Sequence, residues 1–274
     1  MATYTRLQIG NKLPTVAILQ LLLNSYLKGK EVSVDGYFGS KTRKAVMQFQ
    51  KLRGIRPIGI VGRQTWSKLN EYFGFRIIDC LDVTEDRAVL MDWHGNLKSK
   101  PENAYKLFER LGVNLIKVGM TPEGLTTVVN EIIGRSGNPI TFVLLRFFGH
   151  GESGWQGISH GTGDNILYSD EYTGIWDKKL HKQKAILQKL NPHFGVYTSI
   201  ELHGCNVAQG NRGELFLQNL VKIWGVPVSA AKPVQYWGEY ESSTFKFEGR
   251  TASRFPNAKN LKTWSAGLPR LPKV

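Results

Sequence analysis

The sequence predicts two folded regions of different class. A small three-helix α domain at residues 1–74 precedes an α/β domain with a mostly parallel sheet at 75–256, and an extended tail follows at 257–274. In the first region apolar residues recur at helical spacing, whereas beyond it short strand-like runs alternate with helices, as in parallel sheets. The charge is also uneven: residues 1–75 hold 12 Lys and Arg against 3 Asp and Glu, while the whole chain carries +14.

The composition excludes several classes of protein. With 41% hydrophobic and 21% charged residues, the chain is globular in composition rather than disordered or fibrous. Its longest apolar runs fall far short of the roughly 18 residues that a membrane-spanning helix needs. The N-terminus lacks a signal-peptide pattern, so we expect neither Sec export nor a membrane span. Two cysteines cannot form a disulfide framework, and we expect reduced thiols.

The N-terminal region contains an internal repeat of turn and helix. Pro14 opens the first predicted helix, and Ser40 is a candidate cap for the second. A third helix begins near Thr65, and Gly54 suits the end of the second. The repeated segments are residues 35–42 (DGYFGSKT) and 58–65 (IGIVGRQT), and each places glycines in a turn before a helix. We expect this region to fold independently and to bind a polyanion.

This repeat resembles the peptidoglycan-binding module of cell-wall hydrolases. The resemblance covers residues 8–72 and implies a three-helix fold and a bacterial peptidoglycan partner. One position departs from the pattern, since Ile58 stands where the second repeat usually carries Asp. The residues that the resemblance implies for peptidoglycan binding are Asp35, Gly36, Phe38, Thr42, Gln50 and Trp66.

In the second region, six runs are predicted as strands and four segments as helices. The strands are predicted at 76–81, 88–92, 115–118, 141–145, 197–202 and 227–230. The helices are predicted from Pro101, from Thr121-Pro122, and over about 176–190 and 212–224.

Two of these strands are followed by reactive residues flanked by glycine. His150 follows the strand that starts near Thr141, and Cys205 follows the strand that starts near Tyr197. Sites in open α/β sheets lie beyond the carboxyl ends of the strands, so both residues are expected at one edge. A cysteine beside a histidine is a nucleophilic arrangement, and a helix starting soon after Cys205 would lower the thiol pKa.

The pattern of an apolar strand with His-Gly, then an apolar strand with Gly-Cys, resembles the caspase, gingipain and separase group of cysteine peptidases (clan CD). The resemblance covers about residues 76–250 and implies a caspase-like α/β fold. It implies that Cys205 is the nucleophile, that His150 is the general base or acid, and that the backbone N–H groups of Gly151 and Cys205 form the oxyanion hole. Gly204 and Asn206 depart from caspases, so aspartate specificity is not expected.

Several further residues are candidates for weaker roles. His203, Trp155, Asn206 and Asp164 are predicted substrate contacts, with Trp155 as a candidate lid; for His203, packing is an equal alternative. Cys80 lies within a predicted strand and is expected in the core. His160, Asp164 and His181 lack metal-ligand spacing, so we expect no metal and no cofactor.

These features favour a wall-targeted cysteine hydrolase that cleaves a peptide or amide bond at peptidoglycan, as in a phage lysin or a secreted effector. Without a signal peptide, it would reach the wall or periplasm after phage lysis or by non-Sec secretion. One alternative is a wall-anchored protein whose caspase-like domain is inert. Another is a peptidase that cleaves proteins and only docks on the wall. A nucleic-acid binder fits the charge but has no recognised motif.

Overall fold

A computed structural model describes residues 4–29, 31–82, 115–118, 124–136, 142–158, 174–235, 244–245 and 247–274. The helices are α1 (Pro14–Tyr26), α2 (Ser40–Leu52), α3 (Arg63–Phe73), α4 (Gly124–Ser136), α5 (Leu180–Gln188), α6 (Gly210–Trp224) and α7 (Leu261–Ala266). The strands are β1 (Tyr4–Thr5), β2 (Arg76–Asp82), β3 (Leu115–Val118), β4 (Phe142–Phe148), β5 (Gly151–Glu152), β6 (Trp155–Gly157), β7 (Gly174–Trp176), β8 (Ser199–Leu202), β9 (Val228–Ala231), β10 (Thr244–Phe245) and β11 (Thr251–Arg254).

The three predicted N-terminal helices are confirmed as α1, α2 and α3. Gly36 and Gly59 occupy equivalent positions in the two turns, with φ of +71° and +72°, a conformation that favours glycine. Gly54 also has a positive φ of +66° just beyond α2, as predicted. The predicted cap is wrong by one residue: Ser40 is the first residue of α2, and its N-cap is Gly39, which has no side chain to accept a bond.

The described strands of the α/β domain form a six-stranded sheet in the order β11-β9-β8-β4-β2-β3. Five strands, β9, β8, β4, β2 and β3, are parallel to their neighbours, and β11 pairs antiparallel with β9 at the edge. This confirms a mostly parallel sheet, although a caspase fold does not follow from it. Both candidate strands, β4 and β8, lie next to each other in the middle of the sheet.

One face of the sheet is apolar and is covered by helices. Successive side chains of a strand point to opposite faces, so alternate residues of β2, β4 and β8 share this face. They pack with residues of α4 and α6 in one buried cluster, which includes Ile78, Cys80, Leu145, Phe147, Ile200, Leu202, Val128, Ile132, Phe216 and Leu220. The predicted burial of Cys80 is confirmed, and its burial raises the thiol pKa well above the ordinary value.

The opposite face carries buried charged residues beside apolar ones such as Leu144, and it packs against the N-terminal domain. Arg146 of β4 donates from Nε and Nη2 to both carboxylate oxygens of Asp79 on β2, at 2.6 and 2.8 Å. Its Nη1 donates to Thr5 Oγ1 at 3.0 Å. Thr15 of α1 donates to Glu201 Oε1 of β8 at 2.7 Å. All five residues that form these bonds are buried, so the N-terminal domain is joined to the sheet rather than packed as the separate unit that the sequence suggested.

The C-terminal residues are also more ordered than the predicted extended tail. They form α7, whose Trp264 is buried in the same hydrophobic cluster as Trp66 of the N-terminal domain and Leu144 of the sheet. Beyond α7, Val274 N–H donates to Ser25 O at 3.2 Å, which holds the chain end on α1. Trp264 escaped prediction because a single short helical turn leaves no periodic pattern.

Some predicted elements lie outside the described residues, namely the strand at 88–92 and the helix from Pro101. The helix predicted from Thr121-Pro122 is described from Gly124 onward, and those over 176–190 and 212–224 correspond to α5 and α6. Three short strands, β5, β6 and β7, form a separate antiparallel sheet that the sequence did not predict. The sequence also missed β11, because its four residues lack apolar alternation.

Replacing Arg146 with Met should destabilise the protein by about 3–5 kcal/mol, because it leaves the buried carboxylate of Asp79 without its partner. The double variant Asp79→Val/Arg146→Met should recover a large part of that loss, since it removes both charges. Urea unfolding, monitored by tryptophan fluorescence, measures the free energy of unfolding of both variants. A loss below about 1 kcal/mol in the single variant would contradict a stabilising role for this pair.

Candidate functional site

The two candidate strands carry His150 and Cys205 to the same edge of the sheet. In β4 and β8, Phe147 is paired with Leu202, and His203 N–H donates to Phe147 O at 2.8 Å. His150 and Cys205 therefore each lie three residues beyond a paired position. Both side chains are half-buried, which places them at the surface of this edge. The predicted convergence of the two strand ends is present.

The loops that carry these residues touch through their glycines. A Cβ added to Gly151 would lie 2.7 Å from the Cα and carbonyl carbon of Gly204. A Cβ added to Gly204 would lie 2.8 Å from His150 O. These positions therefore have room only for glycine, and the close approach brings together the backbones next to His150 and Cys205.

Gln156 fixes this contact from the neighbouring hairpin. Its side chain is fully buried and accepts the Gly204 N–H at 2.8 Å through Oε1, while Nε2 donates to Gly157 O at 3.0 Å. The hairpin of β5 and β6 is closed by Gly157 N–H donating to His150 O at 2.7 Å. The sequence did not single out Gln156, because a glutamine within a glycine-rich segment gives no sign of its burial.

The geometry of this hairpin bears on the predicted oxyanion hole. Opposed residues in an antiparallel ladder alternate between hydrogen-bonded and non-hydrogen-bonded pairs. His150 and Gly157 form a hydrogen-bonded pair. The next pair, Gly151 and Gln156, is therefore a non-hydrogen-bonded pair. The N–H of Gly151 is therefore directed away from β6. This orientation is compatible with donation to a bound group.

The sulfur of Cys205 lies against the chain segment that follows β9. Gln235 N–H points at the sulfur at 3.3 Å, and Gln235 O lies 3.4 Å from it. Gln235 is itself fixed by side-chain bonds to the backbone of Glu248. The helix expected soon after Cys205 is α6, which starts at Gly210, five residues further along.

His203 is buried beneath the edge. Its ring is stacked between Phe148 and Phe247, with centroid distances of 4.6 and 4.1 Å, and its Nε2 lies 3.0 Å from Glu201 Oε2. Burial lowers the pKa of His203 from 6.5, against the opposing effect of Glu201. Burial also opposes ionisation of Glu201, but His203 and Arg146 outweigh it and the pKa of Glu201 lies below its ordinary value. The packing alternative, rather than substrate contact, describes this residue.

Cys205 lies in a turn beyond the strand, because β8 ends at Leu202. Trp155 is buried in β6 and cannot act as a lid. Asn206 is half-buried with a left-handed φ of 56°, and its N–H donates to Pro233 O. Asp164 lies outside the described residues.

The predicted peptidoglycan-binding residues form two equivalent hydrogen-bond sets. Gln20 Nε2 donates to Tyr37 O and Thr42 Oγ1, each at 3.0 Å, and its Oε1 accepts Gly36 N–H. In the second repeat Gln50 Nε2 donates to Ile60 O and Thr65 Oγ1, at 2.8 and 3.0 Å, and its Oε1 accepts Gly59 N–H. Asp35 Oδ1 accepts from Gln20 at 2.9 Å, an interaction that Ile58 cannot make.

Most of these residues are buried. Phe38, Thr42, Gln50 and Trp66 are each at most 2% exposed. Trp66 Nε1 donates to Thr5 O at 2.8 Å, so it ties the third helix to the first strand. These residues shape the turns and the core, and their side chains do not form an exposed binding surface.

A basic groove lies over the second repeat. It has a volume of about 1110 Å³ and contains one carboxylate, Glu71, which is bonded to Arg53 at 2.9 Å and Lys68 at 2.6 Å. We call it the module groove; its cationic lining residues are Arg6, Arg53, Arg56, Arg63 and Lys68, and Ile58 adds an exposed apolar contact. The equivalent turn of the first repeat is covered, because Leu261 of α7 lies where a Cβ on Gly36 would be, at 2.6 Å.

In the described part of the chain, no helix is long and apolar enough to cross a membrane. Within the same residues, no group of three or more His, Cys, Asp or Glu side chains could hold a metal ion. His181 lies in α5, and His160 lies outside the described part of the chain.

A thiol reagent should modify Cys205 in the native protein and reach Cys80 only after unfolding. Cys205 is half-buried, whereas Cys80 is 2% exposed and its pKa is raised by burial. Mass spectrometry after brief labelling, with and without denaturant, counts the modified thiols, and Cys205→Ala is the control. Equal labelling of both cysteines in native buffer would contradict this burial.

Comparison with known proteins identifies the two regions separately. The family model described as a peptidoglycan binding domain matches residues 12–69, and a model of unknown function, DUF4347, matches residues 155–244. An uncharacterized protein in the bpoA1 3' region of Kitasatospora aureofaciens is 49% identical over 55 residues, or 20% of this chain and 47% of that protein.

The crystal structure of a peptidoglycan-binding protein from Clostridioides difficile, in complex with glutamine hydroxamate, is 40% identical, with a TM-score of 0.23. That match covers 25% of this chain and 42% of that one, so the chain spans less than half the length of both relatives. The family model that matches residues 155–244 of the α/β domain is of unknown function, which does not support the caspase-like assignment. The chain therefore contains an N-terminal region that matches the peptidoglycan-binding domain and an α/β domain that contains the match of unknown function.

Proposed function

We propose that the protein is a wall-bound cysteine hydrolase that cleaves a peptide or amide bond in peptidoglycan, with Cys205 and His150 as its catalytic pair. The observation that carries the proposal is the contact of Gly151 with Gly204, at a distance that excludes any side chain. It brings together the two loops that hold a half-buried thiol and a half-buried imidazole. A cysteine next to a base is the arrangement that covalent catalysis uses.

In this proposal Cys205 Sγ, deprotonated by His150, attacks the carbonyl carbon of the scissile amide and forms an S–C bond. The carbonyl electrons move onto oxygen, where the N–H groups of Gly151 and Cys205 would stabilise the oxyanion. The C–N bond then breaks, and His150 returns the proton to the leaving amine. Water, deprotonated by His150, hydrolyses the thioester and regenerates the thiol. The Gln235 N–H, 3.3 Å from the sulfur, would favour the thiolate.

A second candidate is a wall-anchored protein whose α/β domain is catalytically inert. The observation that favours it is the pair of contacts between the Cys205 sulfur and the backbone of Gln235, at 3.3 and 3.4 Å. In this alternative the sulfur is a structural contact for the segment after β9. The two candidates differ in whether the Cys205 thiol takes part in cleaving a substrate, and cleavage can be measured.

Purified sacculi incubated with the protein should release soluble fragments with new amine and carboxyl ends, detectable by mass spectrometry. Cys205→Ala should abolish release, because it removes the nucleophile. His150→Ala should slow release by about 10²–10⁴-fold, the usual contribution of a positioned acid–base group. Cys80→Ala is the matched control, and it should retain activity.

The outcomes of this experiment separate the candidates. Release that persists in Cys205→Ala would contradict the proposed nucleophile. If the wild type releases nothing from sacculi and cleaves no protein substrate, the inert domain is the correct candidate. If it releases nothing from sacculi but cleaves proteins in a Cys205-dependent manner, it is a peptidase that only docks on the wall.

We also propose that the module groove holds the peptidoglycan. It lies within the N-terminal domain, whereas the equivalent turn of the first repeat packs against Leu261 of the C-terminal helix. Its cations would attract the carboxylates of the peptide stems, and exposed Ile58 offers an apolar contact to a sugar or peptide.

Arg56→Glu/Arg63→Glu should weaken pelleting with sacculi by about tenfold or more, equivalent to ~1.4 kcal/mol of binding free energy. Both residues line the groove, and the change reverses its charge. Lys41→Glu/Lys44→Glu, on the exposed side of α2, makes the same change in net charge outside the groove and serves as the control. Equal losses in both variants would show that only net charge matters.

A further inference from the structure

A second groove lies between the N-terminal domain and the α/β domain. It has a volume of about 740 Å³. Its walls come from residues 5–6, the loop at residues 10–13, Lys232, the strand β11 with the residues around it, and the start of the C-terminal segment at residues 259–261. We call it the interdomain groove. It is separate from the edge that carries His150 and Cys205, since neither of them lines it.

The interdomain groove is strongly basic. Its cationic lining residues are Arg6, Lys12, Lys232, Arg250, Arg254 and Lys259, and no carboxylate is among its lining residues in the described part of the chain. The Glu214 carboxylate, behind the wall, accepts a hydrogen bond from Lys232 at 2.6 Å and another from Arg254. One carboxylate therefore offsets only part of the charge of these two cations. Arg250, Lys259 and Lys12 are exposed. Such a concave surface with one sign of charge attracts anions.

The interdomain groove adjoins the module groove. Arg6 lines both, and it follows Thr5, whose carbonyl is bonded to Trp66 of α3. A compact anion would need only one of these grooves, so two adjacent basic grooves that share an arginine point to an extended ligand.

The lining residues also indicate the chemistry of that ligand. Three arginines contribute, and the planar guanidinium pairs with phosphate or carboxylate oxygens through two parallel hydrogen bonds. Thr251, Ser253 and Asn260 add hydroxyl and amide groups that suit a polyol or a sugar. A DNA duplex is read by elements that protrude into its grooves, and this surface is concave.

We propose that the interdomain groove binds an anionic wall polymer that carries a phosphodiester in each repeat, next to the peptidoglycan held by the N-terminal domain. The inference depends on wall binding by that domain and is independent of the proposed hydrolase activity. The polymer would lie along the basic path from Arg6 to Lys259. The α/β domain would then contribute to wall binding through the residues around β11.

The test measures the affinity of the full chain for a synthetic poly(glycerol phosphate) oligomer. Arg250→Glu/Lys259→Glu should reduce the affinity by about tenfold or more, and Lys12→Glu, on the opposite wall, should reduce it independently. Lys184→Glu/Lys222→Glu makes the same charge change on α5 and α6 and should alter it by less than about threefold. Thermal unfolding of each variant verifies that the fold is intact.

Sacculi provide the second arm. On untreated sacculi that carry phosphodiester polymers, the groove variant should bind more weakly than the wild type. After hydrofluoric acid has removed those polymers, the two should bind equally, because the peptidoglycan remains. Equal losses on both preparations would overturn the proposal and make the groove part of the peptidoglycan site.

Three further results would also overturn it. The first is wild-type protein that does not bind the oligomer, and the second is an equal loss in the control variant. The third is tighter binding to a DNA duplex of the same charge that is weakened by the same substitutions. That result would identify a nucleic-acid surface.

Discussion

The arrangement of the whole molecule depends on the charged groups buried on one face of the sheet. Asp79, Arg146 and Glu201 are each at most 3% exposed. Burying a charge costs free energy unless the charge is paired and hydrogen-bonded. The sheet supplies the Asp79–Arg146 pair, whereas Thr5 and Thr15 of the N-terminal domain supply further bonds. Removing that domain would expose this face and leave those bonds unmade.

The buried charged groups also contact the candidate site, because Glu201 bonds to His203. Glu201 bonds to Thr15 on one side and to His203 on the other, and His203 lies two residues before Cys205. The stacked rings of Phe148 and Phe247 fix the imidazole from both faces. These contacts fix the start of the loop that carries the Cys205 thiol. In the same loop, Gly204 N–H donates to the side chain of Gln156. The edge is built from buried groups whose own bonds are satisfied.

The sequence predicted the elements that have strong local patterns. Helical periodicity found α1 to α3, and the apolar runs found β2, β3, β4, β8 and β9 to within a few residues. It also placed His150 and Cys205 at one edge, because parallel neighbours end together. It could not predict that Thr15 would contact Glu201, since that bond joins residues 186 positions apart. The burial of Trp155 and His203 likewise depends on the tertiary packing of short strands and rings that leave no local pattern.

The covering of the first repeat by Leu261 has a consequence for how the protein would behave on a wall. Two turns with the same hydrogen-bond scheme could have made the N-terminal domain bivalent, but in its described residues one turn is occupied by the chain's own C-terminal helix. The first repeat therefore connects the N-terminal domain to the C-terminal helix. Without a second open turn of its own, the N-terminal domain gains no avidity from its repeat, so any second contact with a wall must come from another part of the chain.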